Sequence, residues 1–261
     1  MNLPIKEEKG FRYIEEGEGE VLVLLHGLMG ALSNWEDVVN EFKSQYRVII
    51  PMLPIYDMPI ITTGVKSLSR FLSKFIKFKG LENFIVVGNS LGGHVGLMYV
   101  LGHQKQTRAL VLAGSSGLYE NSFGGSFPRR ESFDFIKEKV EFTFYDPKTA
   151  TPELVDEVFA SVNNRERTIR ILAMAKSAIR HNMAKDLPKI KIPVCLIWGK
   201  QDKVTPPEVA EQFYELLPNA ELHWVDLCGH APMMEQPQEF NLLLKGFLEK
   251  INFKPKVKSI V

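Results

Sequence analysis

Residues 84–93, Phe-Ile-Val-Val-Gly-Asn-Ser-Leu-Gly-Gly, constrain the fold of this chain more than any other stretch. An apolar run of strand length stops at Gly88, and Ser90 then sits inside a G-x-S-x-G frame that leads into a helix. So tight a strand-to-helix turn brings two backbones very close, and a Cβ at Gly88 or Gly92 would collide with the neighbouring element. The turn holds the Ser90 hydroxyl at the carboxyl end of a sheet. The N–H of Leu91 and the positive end of the helix then point where an oxyanion would form. An ordinary turn could use the same five residues, so the rest of the chain decides.

Before the turn, Phe11–Glu16 and Val21–Leu25 read as strands, the second an unbroken apolar run of the kind buried on both faces. His26-Gly27-Leu28-Met29-Gly30 follows, and its glycines let the backbone bend so that the Leu28 N–H becomes a second oxyanion donor. A short helix begins around Ser33-Asn34-Trp35-Glu36, and Arg47–Ile50 is the next buried strand. Pro51, Pro54 and Pro59 then argue for irregular chain. Val65, Leu68, Phe71, Leu72, Phe75 and Ile76 recur at helical spacing, and Gly80 closes that helix. Thr107–Ala113 is another strand.

From Leu118 to Asp186 the pattern changes to helices, among them 154–162 and 168–183. This places a helical cap over 118–186, inserted into a core made of 1–117 and 187–261. Seven phenylalanines fall in the cap (Phe123, Phe127, Phe133, Phe135, Phe142, Phe144, Phe159); they either glue it to the core or face a pocket. Strand and helix alternate again through Ile192–Trp198, a helix opened by Pro206-Pro207, the strand Ala220–Val225 and a final amphipathic helix. This alternation predicts an α/β fold with a mostly parallel sheet and helices on both faces, its active site at the carboxyl ends of the strands. The basic tail from Phe253 onward is expected to fray.

A serine hydroxyl needs an imidazole to take its proton and a carboxylate to orient that imidazole. Ser90, Asp202 and His230 each follow a strand, in that order, and His26 follows an earlier one. Asp226 rivals Asp202 by proximity to His230, but it lies on the same strand end. His26 fits shaping of the oxyanion loop better than proton transfer. Gly27, Asn89 and Ala231, beside these residues, are candidates for touching substrate together with His26.

Taken together, HGLMG, GNSLGG, WGKQDKVTPP and CGHAPMMEQPQEF resemble the α/β-hydrolase superfamily over nearly the whole chain. GNSLGG, LVLAGSSGL and the CGH turn are similar to the hydrolases that cleave carbon-carbon bonds in meta-cleavage products. The resemblance implies a serine hydrolase acting by Ser90, His230 and Asp202, and a cap arginine for a substrate carboxylate, for which Arg165, Arg167 and Arg170 are candidates. The chain departs from the family where Ala231 and Met234 stand in place of tryptophans, and where PMLPIYDMP replaces D-L-P-G-x-G-x-S.

A net charge of +1 and pI near 7.7 give no global field for nucleic acid or an anionic membrane. The N-terminus lacks a secretory apolar region and no stretch is long enough to span a bilayer, so a cytoplasmic protein is expected, with no membrane partner, as monomer or homodimer. Cys195 and Cys228 read as reduced buried thiols without metal-ligand spacing, and neither metal nor cofactor is expected. The expected partner is a small molecule, an ester or similar carbonyl compound. The basic run over 165–185 argues for an acidic substrate if it faces inward and for a solvated helix face if it does not. A ligand-binding protein that keeps the hydrolase fold without turnover is the competing class.

Overall fold

The computed structural model describes residues 3–29, 35–121 and 129–253. Among them, eight strands form one sheet: β1 (Lys6–Glu8), β2 (Phe11–Glu16), β3 (Val21–Leu25), β4 (Arg47–Pro51), β5 (Phe84–Asn89), β6 (Thr107–Ala113), β7 (Val194–Gly199) and β8 (Ala220–Val225). Their order is β1-β2-β4-β3-β5-β6-β7-β8, with β1 and β2 antiparallel at one edge and β4 through β8 parallel. β3, β5 and β7 are buried along their whole length, as their continuous apolar runs require. The chain passes from β3 outward to β4 and then returns past β3 to β5. The order therefore reverses between β3 and β5, and a crevice opens at their carboxyl ends.

Helices cover both faces. α1 (Glu36–Phe42) packs with one alternate set of strand side chains, including Leu22, Leu24, Ile85 and Val87. α2 (Val65–Lys79) and α3 (Leu91–His103) pack with the other set, including Val23, Leu25 and Val86. Between β6 and β7 run α4 (Phe133–Phe142), α5 (Pro152–Asn163) and α6 (Arg165–Arg180), each opened by a side chain, Ser132, Thr151 or Asn164, that accepts a first-turn N–H. This segment leaves and rejoins the sheet region side by side, where the Met183 N–H donates to the Gly117 carbonyl at 2.8 Å. α7 (Pro207–Leu216) joins the α2 and α3 face, while α8 (Pro232–Glu235) and α9 (Pro237–Lys250) join the α1 face.

Several expectations need correction. Pro51 ends β4 rather than interrupting it, because the strand pairs with β2 near the sheet edge and Pro51 lies opposite Tyr13. Residues 60–62 form a 3-10 turn within the proline-rich stretch. α4 was not expected as a helix; its two buried residues, Ile136 and Val140, give too narrow a stripe to show periodicity. Phe133 and Phe142 are exposed and Phe144 is buried, while Phe123 and Phe127 lie outside the described residues. Ser33, Asn34 and Gly30 also lie outside them. Phe253 does not fray: it is buried and stacks on Tyr46, whose hydroxyl donates to its carbonyl; the tail beyond it, 254–261, is outside the described residues.

α2 starts without a capping side chain of its own, because its N-cap is Gly64. Ser177 of α6 supplies the acceptor: its Oγ takes the Val65 N–H at 3.1 Å, in space that a Cβ on Gly64 would close to 2.7 Å. Replacing Ser177 with alanine should therefore cost about 1 kcal/mol, the usual worth of a cap. In a urea titration the midpoint should fall while the slope stays fixed; a midpoint equal to wild type would show the cap to be idle.

Candidate active site

Ser90 joins β5 to α3 with φ +53, a left-handed conformation that leaves its side chain out of both elements. The glycines around it are sterically required. A Cβ at Gly88 would lie 2.6 Å from the Gly93 backbone, and one at Gly92 would lie 2.1 Å from the Leu25 carbonyl oxygen. Leu91 is the first residue of α3, so its N–H has no intrahelical acceptor. Asn89 donates through Nδ2 to the carbonyls of Ala113, at 3.0 Å, and His230, at 3.1 Å, tying the serine turn to the histidine loop.

His230 Nδ1 donates to Asp202 Oδ2 at 2.9 Å. The carboxylate is itself fixed: Oδ1 accepts the N–H groups of Val204 and Thr205, and Oδ2 accepts the Thr205 hydroxyl. Burial alone would pull the imidazole down, but the charge and hydrogen bond of Asp202, with Glu120 and Glu235 nearby, hold His230 above its ordinary value. Asp226 lies elsewhere, bonded to Gln201 and the Leu227 N–H and paired with Lys200.

Ser90 and His230 open onto one cavity of about 160 Å³. Gly27, Leu28, Asn89, Leu91 and Ala231 line it with them; from the helices between β6 and β7 come Ile136, Val140, Leu154, Val158, Ile171 and others, mostly apolar. Four candidate residues do not line it. His26 turns away, with Nδ1 on the Gly27 carbonyl and Nε2 accepting the Leu53 N–H, so it braces the loop after β3. Its burial favours the neutral ring. Arg165 is exposed at the start of α6, Arg167 sits over the Tyr56 ring, and Arg170 donates to the Met58 carbonyl.

Four residues that hold this arrangement were not singled out in the sequence. Gly114, at φ +49, has no room for a side chain, since a Cβ would lie 2.9 Å from His230 Nδ1 and 3.1 Å from Asp202 Oδ2. Glu235 accepts the N–H groups of Gly229 and Ala231, bracketing His230, and also that of Tyr145. Thr205 fixes the carboxylate as above. Glu120 lines the cavity, accepts the Ser116 hydroxyl, and is pushed above the usual carboxylate range by burial. Only Glu235 left a trace, an acid at the start of the last helical run, where it reads equally well as a first-turn charge.

Away from the cavity, Cys195, Glu221 and His223 offer ligand atoms within 4.8 Å of one another. They are accounted for by other contacts: Glu221 is hydrogen-bonded to His223 on one oxygen and paired with Lys250 on the other, and burial pushes the Cys195 thiol well up, keeping it protonated. No helix among the described residues is long and apolar enough to cross a membrane.

Residues 22–241 match the family model described as "Alpha/beta hydrolase family". The chain is similar to a 2-hydroxy-6-oxononadienedioate/2-hydroxy-6-oxononatrienedioate hydrolase of Paraburkholderia phymatum, 30% identical over 260 residues and covering 90% of each chain. It is similar to Lipase 1 of Psychrobacter immobilis, 28% identical over 246 residues, 87% of this chain and 77% of the relative. Among solved structures, an alpha/beta hydrolase enzyme from the metagenome of sediments of the Mar Chica lagoon, Morocco, is 46% identical with a TM-score of 0.79, over 95% of this chain and 99% of that one. A parallel sheet with its switch point beside the serine turn, and a family match that spans nearly all of that sheet, lead to one conclusion: the chain belongs to the alpha/beta hydrolase family of enzymes.

Proposed function

We propose that the protein is a serine hydrolase of small, neutral, apolar carboxylic esters. The observation that carries this reading is the His230–Asp202 hydrogen bond, 2.9 Å, opening with Ser90 onto a single apolar cavity. Ser90 Oγ attacks the ester carbonyl while His230 Nε2 takes its proton; the Leu28 and Leu91 N–H groups hold the oxyanion. The imidazolium returns the proton to the leaving alkoxide, and water then cleaves the acyl-enzyme by the same path. The segment over 118–186 acts as the cap that roofs this cavity.

Cavity size bounds the substrate. A dry cavity of about 150 Å³ takes up benzene, so about 160 Å³ suits a short acyl chain. Among p-nitrophenyl esters, kcat/KM should peak near about four to six acyl carbons. A fluorophosphonate probe should label the wild type and leave Ser90→Ala and His230→Ala unlabelled. A folded protein that resists labelling would sink the reading in favour of ligand binding without turnover.

The relative from P. phymatum favours a second reading, carbon-carbon bond hydrolysis of a dicarboxylated compound. The cavity chemistry argues against it. Lys139 is the one Lys or Arg among the described lining residues, and its Nζ lies 5.6 Å from the centre of the Phe135 ring, so no second such cation is present for a second carboxylate. A carboxylated dienoate turned over faster than any neutral ester would reverse the choice.

The pH profile gives a further test. His230 must be neutral to accept the Ser90 proton, and its pKa is raised, so kcat/KM should fall on the acid side with a midpoint above the 6.5 of a free imidazole. Glu120→Gln removes one of the charges that raise it. The midpoint should then move to lower pH; a profile that did not move would remove Glu120 from the electrostatics of the site.

A further inference from the structure

α6 has two working faces. Ile171, Ala175 and Ala178 line the cavity beside Ser90, whereas Lys176 and Arg180 face the other way, into a surface groove against α2. From α2, Lys66 and Arg70 complete the same groove. Each helix therefore presents an i, i+4 pair of like charges, an arrangement that disfavours the isolated helix. None of these four cations forms an ion pair among the described residues, and no acidic side chain among them lines the groove. α2 and α6 each carry five Lys and Arg, and the single acid on either is Glu166, which is occupied by Arg170. A net charge of +1 for the whole chain thus conceals one strongly basic face.

Ile61, 99% exposed, stands on the rim of that groove on the 3-10 turn before α2, with the exposed Ile60 next to it on the same turn. An apolar tip so fully offered to water, flanked by four unpaired cations on long side chains, is complementary to a surface with an apolar interior and anionic headgroups. A soluble anion would gain nothing from the isoleucines, and the one aromatic ring among the described groove residues, His181, is already packed against His94 rather than offered to a nucleic-acid base.

We propose that this groove docks the protein peripherally on an anionic phospholipid bilayer, Ile60 and Ile61 entering the headgroup boundary while Lys66, Arg70, Lys176 and Arg180 contact lipid phosphates. The assignment does not depend on what Ser90 does.

The test is sedimentation of the full chain with vesicles of phosphatidylcholine, alone or with about one-third phosphatidylglycerol. Binding is expected only with phosphatidylglycerol, weakening as salt rises. Each cation is worth about fivefold in partitioning, so changing all four to Gln should lower binding by at least about a hundredfold. Ile61→Asp, at a position with nothing packed on it, should lower binding without touching the fold, and neither variant should alter turnover of a soluble ester. Three results would overturn the docking: no sedimentation with phosphatidylglycerol vesicles, equal sedimentation of the quadruple variant, or unchanged binding by Ile61→Asp. Competition by single-stranded DNA at the same four residues, with no vesicle binding, would assign the face to nucleic acid instead.

Discussion

Under the proposed function, replacing Ser90 with alanine is expected to lower kcat on a short-chain p-nitrophenyl ester by about a millionfold, the scale of effect when a triad nucleophile is removed, or about 8 kcal/mol of transition-state stabilisation. The effect is confined to chemistry. Ser90 Oγ makes no hydrogen bond among the described residues, so its loss leaves no buried group unsatisfied. Alanine at φ +53 bears the same backbone strain as serine, and the melting temperature should stay at the wild-type value. The His230–Asp202 pair and the two backbone donors survive, so the variant retains a rate above that of water alone. Substantial turnover by a folded Ser90→Ala protein would transfer the nucleophile elsewhere.

Gly92→Ala tests the scaffold instead, and its expected result is failure to fold. The added methyl would sit 2.1 Å from the Leu25 carbonyl oxygen and 2.7 Å from that of His26. Both are backbone atoms at the end of the buried strand β3, beside the crevice, so relief requires α3 to lift off the sheet. That separates apolar surfaces over the whole helix and costs upward of about 4 kcal/mol, a large share of the stability of a typical domain. Gly102, ten residues on in the same helix, has nothing within 4 Å of the position a Cβ would take. Gly102→Ala should be neutral or gain up to about 1 kcal/mol by helix propensity. Comparable melting temperatures for the two variants would show that close approach does not matter at the turn.

The contrast between these glycines also explains what could be read in the sequence. Strands buried on both faces must be apolar, so Val21–Leu25, the run that ends at Gly88 and Val194–Gly199 stand out, and the polar residues that follow them mark the sheet's carboxyl edge. Ser90 and Asp202 stood out as candidates for that reason, and His230 by the glycine turn after β8, whose Glu221 and His223 interrupt its apolar pattern. Gly114 was not legible, because its importance comes from the Asp202–His230 pair, more than 80 positions away, nor was Glu120, whose place in the cavity depends on groups drawn from the whole length of the chain. The basic run over 165–185 was visible, but its direction was not. Which face of α6 meets the cavity is decided by Ile171, Ala175 and Ala178 packing inward, and this sends Lys176 and Arg180 outward.

The hydrogen bond between Met183 and Gly117 has a consequence for how the protein can change. It brings the two ends of the helical segment together, and the segment is tied to the rest of the fold at further points, where the Thr143 carbonyl accepts the His230 N–H, the Tyr145 N–H donates to Glu235 and Ser177 caps α2. The entropy of closing such a loop grows with the logarithm of its length. Changes of length between those ties therefore cost little entropy, whereas replacing Thr143, Tyr145 or Ser177 would loosen the loop that carries His230 or the start of α2. A new substrate range is best sought at the cavity-lining positions of that segment, Ile136, Val140, Leu154, Val158 and Ile171, with those ties kept.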